Sequence, residues 1–171
     1  MIIEILKRIW QIFLLLVLQV FLMNHIHIMG YGSPLVCVAL LLYFPVNANR
    51  VLTMLWAFLL GFLVDVFSST PGLSAASMTL VAFLQPGWLR LCVPKDSPED
   101  FLPDFRTMGT WNHLRYLTIL LLLHHGVYYL LESFSFFNLT DLCMTAGISF
   151  GFSWLSIVVL ELLRRGEKKH A

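Results

Sequence analysis

Long apolar runs with almost no charge in them dominate this chain: residues 9–29, 34–46, 52–67, 73–91, 114–131 and 142–163. A bilayer's hydrocarbon core, about 30 Å thick, is crossed by about 20 helical residues. The first, fourth, fifth and sixth runs have that reach, and the second and third are shorter. Only 12% of the 171 residues are charged, about half the share usual in a soluble domain. Mean hydropathy is +0.80. So much apolar surface needs a solvent other than water. The sequence therefore predicts one all-α domain over residues 1–171, a polytopic membrane protein with six transmembrane helices.

Charge sets the number of crossings. Residues 34–67 are too few for two comfortable spans and too many for one straight one, and "PVNANR" interrupts them. With six spans and both termini cytoplasmic, all 11 Lys and Arg residues fall on the inner side. Merging the second and third runs would turn eight of those 11 outward and strand Arg50 in mid-membrane. Because basic residues concentrate on the cytoplasmic side, six spans are selected. Lys7 and Arg8 ahead of an apolar run resemble a secretory signal. The run is long, however, and no Ala-x-Ala follows, so an uncleaved first span fits better. The inner segment 92–113 reads as a solvated connector, or as a surface for the membrane or a cytoplasmic partner. The tail "RRGEKKHA" reads as a stop-transfer anchor within reach of anionic lipid.

A net charge of +1 implies no nucleic-acid partner. Cys37, Cys92 and Cys143 are odd in number and far apart, which suits apolar filler.

The stretch "LLGFLVDVFSSTPGLSAAS" places one carboxylate, Asp65, at the end of the third run. Ala57, Gly61 and Asp65 recur every four residues and share a helical face. Small residues at that spacing let helices approach closely. Asp65 then has three readings. It pins the third helix to the amide groups and positive dipole end opening the fourth, or it contacts a ligand or partner, or it is a protonated spectator. Ser74 and Ser77 in the next helix suit tight packing, or the wall of an outward-opening cavity.

Gly147 and Gly151 form a G-x-x-x-G, read as a helix-packing face. With Ser149 they also spell G-x-S-x-G, which works as a nucleophile elbow only on a strand–turn–helix; inside an apolar run it does not. His124, His125 and Glu132 lack a metal-ligand spacing, and paired histidines in a span more often bond neighbouring helices. Glu161 precedes Arg164 and Arg165 by about one turn, which suits a local ion pair. No catalytic set and no metal or cofactor site is legible, so the expectation is a non-enzymatic protein that acts by binding.

The pattern resembles a known family, the rod shape-determining protein MreD. "LQVFLMNH", "SPLVCVALLLYF" and "GFLVDVFSSTPGLSAASMTLVAFL" carry the resemblance, with Gly61, Asp65 and Gly72 at its centre. It implies a scaffold subunit of the bacterial cell-elongation machinery in the inner membrane, linking peptidoglycan synthesis to cell shape. Implied partners are an MreC-like bitopic protein and, indirectly, MreB-like filaments, a RodA-type glycosyltransferase and a class B transpeptidase. The implied fold is similar to the substrate-binding subunits of energy-coupling-factor transporters. An outward pocket would then draw on Asp65, Ser68, Ser69, Gly72, Ser74, Ser77 and His25, with partner docking on the Gly61 face. The alternative is a small-molecule-binding subunit of a vitamin-type transporter, although the Ala-x-x-x-Ala coupling patch expected on the first helix is absent.

Overall fold

The computed structural model describes residues 2–22, 34–45, 47–93, 102–133 and 139–167. Every element among them is helical. Helix α1, Ile2–Val17, runs into one π-helical turn, Leu18–Leu22. A 3-10 helix, Cys37–Tyr43, follows. Then come α2 (Arg50–Ser68), α3 (Leu73–Cys92), the short α4 (Phe105–Met108), α5 (Thr110–Glu132) and α6 (Leu139–Glu167).

Local chemistry sets the boundaries. Asn49 caps α2 by accepting the Val51 and Leu52 amides. Ser69 ends that helix in the left-handed region at φ 57° and Gly72 opens α3 at φ 82°. Two such residues within four positions reverse the chain, so α2 and α3 form a tight antiparallel pair. Asp104 and Thr107 make a reciprocal capping box on α4. The pairs α2–α3, α3–α5 and α5–α6 supply most of the helix packing.

The second apolar run departs from expectation. Residues 34–45 are not an α-helix; three residues without regular structure lead into the 3-10 segment, and residues 35–42 are buried on all sides. With about 2.0 Å rise per residue, the seven 3-10 residues reach about 14 Å, further than seven α-helical residues would. A short run thereby passes through the middle of the bundle.

Such a segment leaves backbone groups that no helix of its own satisfies, and α1, its π turn, α3 and α6 each send a polar side chain to meet them. Gln19, on the π turn, donates to the Pro34 carbonyl at 3.0 Å and accepts the Val36 and Cys37 amides at 2.7 and 3.3 Å. Ser153 of α6 accepts the Leu35 amide at 2.7 Å. Gln85 of α3 donates to the Leu41 carbonyl at 2.8 Å, steadied by the Tyr116 hydroxyl. Arg8 of α1 donates to the Tyr43 carbonyl at 2.7 Å and lies over the Phe44 ring.

Three helical stretches are long and apolar enough to cross a membrane: Arg50–Ser68, Thr110–Glu132 and Thr140–Leu163. Their outward faces, with α1's, carry large exposed apolar side chains such as Trp10, Phe13, Phe62, Leu122 and Leu155. Water does not tolerate so many; lipid does. The inner segment expected as a connector contributes two core residues, because α4 buries Phe105 and Met108 while Leu102 and Trp111 stay exposed. Residues 94–101 of that segment, and the tail beyond 167, lie outside the described residues.

Replacing Gln19 by Leu removes three bonds from a site that water cannot reach. Unsatisfied buried groups cost about 1–3 kcal/mol each. Gln19→Leu is expected to lower stability by about 3 kcal/mol or more, measured by thermal or denaturant unfolding in detergent, with Gln11→Leu as a half-exposed control.

Candidate functional site

Asp65 sits at the α2–α3 junction and is 4% exposed. One carboxylate oxygen accepts the Ser74 amide at 2.8 Å and the Thr70 hydroxyl at 3.0 Å; the other accepts the Ala75 amide at 2.9 Å. The two amides are among the first of α3, where unpaired N–H groups and the helix dipole favour an anion. Its own carbonyl accepts the Ser69 and Thr70 amides. Asp65 thus closes the turn with side chain and backbone together.

Gly61 lies one turn before it on the same face. A Cβ there would fall 2.6 Å from the Ser74 carbonyl oxygen and 2.7 Å from the Ala75 Cα. Ala57 is also fully buried. The face expected to dock a partner is therefore occupied by the chain's own α3, whose backbone lies against Gly61.

The expected outward pocket does not assemble from the described residues. Asp65, Ser74 and Ser77 are buried in helix contacts, Ser68 is half-buried, and Ser69 and Gly72 are exposed on the turn. His25 lies outside the described residues. The physical reason is that both Asp65 oxygens are committed to α3. A shallow apolar depression of about 470 Å³ on the α2–α3 surface includes Gly72 but not Asp65.

Gly147 and Gly151 also differ from expectation. Both are exposed, and a Cβ at either would meet nothing within 4 Å. Helix α6 attaches through its other side, where Ser149, Ser153, Ile157 and Glu161 are buried. Its small-residue face is open. Ser149 lies mid-helix and accepts the Tyr129 hydroxyl at 2.6 Å, with no elbow around it.

The histidines of α5 face inward. His125 donates through Nδ1 to the Leu121 carbonyl at 3.0 Å, since a carbonyl only accepts, and places Nε2 3.0 Å from the Ser153 hydroxyl. His124 Nε2 lies 3.3 Å from the Ser77 hydroxyl and 3.9 Å from the Cys37 sulfur. These are serine–histidine contacts that the linear sequence does not reveal. Ser153 already accepts the Leu35 amide and bonds the Ser149 carbonyl, and a carbonyl rather than a carboxylate orients His125. The contacts tie α5 to α3, α6 and the 3-10 segment. No group of three potential metal ligands occurs among the described residues.

At the end of the bundle that carries Arg8, Arg50, Arg90 and Arg115, His113 of α5 pairs through Nε2 with Glu161 Oε2 of α6. His113 is fully buried and the Phe105 ring packs on it at 4.3 Å. Glu161, expected to pair locally with Arg164 or Arg165, thus has a partner on another helix; the side chains of those two arginines lie outside the described residues.

No family model, curated protein or solved structure matches the chain.

Three substitutions separate the junction from the open face. Gly61→Ala forces α2 and α3 apart and is expected to cost about 3 kcal/mol, at the upper end of overpacking effects. Asp65→Asn turns an NH₂ toward a buried N–H and is expected to cost about 2 kcal/mol. Gly151→Ala meets no atom and is expected to be neutral or to stabilise by up to about 1 kcal/mol, through helix propensity. Unfolding of the three variants in detergent checks the order.

Proposed function

We propose that this protein is a non-enzymatic, multi-pass scaffold of the bacterial inner membrane, related to MreD, which holds an MreC-like bitopic partner within the rod-shape machinery. In this reading the chain crosses the membrane six times with both termini cytoplasmic. The 3-10 segment serves as the second crossing, shielded from lipid on every side. The Gly61–Asp65–Gly72 pattern that carries the family resemblance folds the α2–α3 pair. It is therefore a determinant of the fold and not a docking surface.

The observation that carries the reading is the face of α6. Met144, Gly147, Gly151, Leu155 and Leu162 fall on one side of the helix, and all are exposed. Of the three stretches suited to crossing a membrane, the one in α6 is the least covered by its own chain. In lipid, apolar surface alone does not draw helices together. Association rests on close packing, which small residues permit. Two glycines a turn apart on a bare face supply that opportunity, while the described polar side chains of the core turn inward to hold the bundle.

The test is Gly151→Leu, co-expressed with an MreC-like bitopic protein. Loss of close approach is expected to cut partner recovery about tenfold, the effect of a little over 1 kcal/mol, at unchanged protein level and unchanged melting. Normal recovery would overturn the docking face.

A further inference from the structure

The cavity along α1, the 3-10 segment and α6 has no part in the scaffold reading. It measures about 410 Å³, within the range of small-molecule pockets and too small for a helix. Leu14 and Leu15 of α1 and Leu18 of the π turn form one wall, Leu42 and Tyr43 the back, and Ile157 and Leu160 of α6 the other. Gln11 and Glu161 are the polar residues among the lining side chains, apart from Tyr43. Arg8 stands beside the mouth, donating to Gln11 Oε1 at 3.0 Å and to the Tyr43 carbonyl.

Glu161 is 9% exposed, and its Oε2 is sealed and paired with His113. A carboxylate has about four acceptor positions. The His113 contact uses one oxygen, which leaves the rest of the group to the cavity it lines. A carboxylate at membrane depth is costly without a donor. The cavity therefore offers apolar walls to a hydrocarbon chain and an anion to a cationic head. It lies at the basic end of the bundle, which the six-span reading places at the cytoplasmic headgroups.

We propose that this cavity binds an aminophospholipid, with the primary ammonium donating to Glu161 and one acyl chain lying between α1 and α6. A primary ammonium brings three N–H donors. A choline head brings the same charge with none, and a glycerol head brings no cation. The preference should follow that chemistry: ethanolamine over choline, and choline over glycerol.

The experiment uses the delipidated full-length protein in detergent, with phosphatidylethanolamine, phosphatidylcholine and phosphatidylglycerol of identical acyl chains. Retained lipid is counted by native mass spectrometry. The wild type is expected to retain phosphatidylethanolamine about tenfold over phosphatidylglycerol, the scale of one charge-assisted bond. Glu161→Gln is expected to abolish the preference. Leu14→Trp, which narrows the mouth from a half-exposed position on α1, is expected to remove retention of all three while leaving the Glu161–His113 pair intact. Equal retention of the three lipids by the wild type would overturn the proposal. So would an undiminished preference in Glu161→Gln, or, if that variant does not fold, an undiminished preference in Leu14→Trp. Release of a co-purified bitopic protein by Glu161→Gln, with no lipid preference in the wild type, would assign the carboxylate to a partner's lysine or arginine and overturn the lipid site. The outcome is independent of Gly151 and the partner assay, so either reading can fail alone.

Discussion

Everything in this bundle is arranged around a buried stretch of backbone that is not an α-helix. Residues 34–44 need hydrogen-bond partners in a place where neither water nor lipid supplies them. Gln19, Gln85, Ser153 and Arg8 provide them from α1 and its π turn, from α3 and from α6. These bonds also order the helices. A helix that holds one carbonyl or amide of the central segment has its depth and rotation fixed relative to the others. The polar residues of an otherwise apolar chain thus act as registration points. The apolar side chains fill the space between them, and on the outside face lipid.

The α2–α3 pair is the second fixed unit, and it is specified locally. Asp65 joins the two helices with three side-chain bonds, while Gly61 lets their backbones meet. The left-handed Ser69 and Gly72 make the reversal short enough for both. Each part requires the others. Without the close approach at Gly61 the carboxylate does not reach the amides, and without the carboxylate the start of α3 is left with buried unpaired donors. The hairpin packs on α5 through α3.

Much of this was legible in the sequence, for identifiable reasons. The apolar runs announced an all-α membrane domain because composition alone forbids a water-facing surface. Asp65 beside a Ser-Ser-Thr-Pro-Gly break suggested its cap because donor and acceptor lie within ten residues. The 3-10 segment was not legible, since a run of apolar residues carries no mark of which helix type it adopts. Its signal was indirect: Gln19 and Gln85, two amides standing in apolar helices without an evident partner. Gly147 and Gly151 suggested a close approach, but spacing cannot say whether the neighbouring helix belongs to the same chain, and within this chain their face is open. The Glu161–His113 pair was hidden by its 48-residue separation, and the nearby arginines offered a simpler local answer.

The π turn at Leu18–Leu22 gives the first helix one residue more than regular winding would need. Gln19 lies in that turn and bonds the central segment from it. Losing a single residue there would leave hydropathy, length and charge almost untouched, yet would swing the amide about 100° around the axis. Descendants of this chain are thus free to exchange one oily residue for another along the first helix, but not to change how many there are.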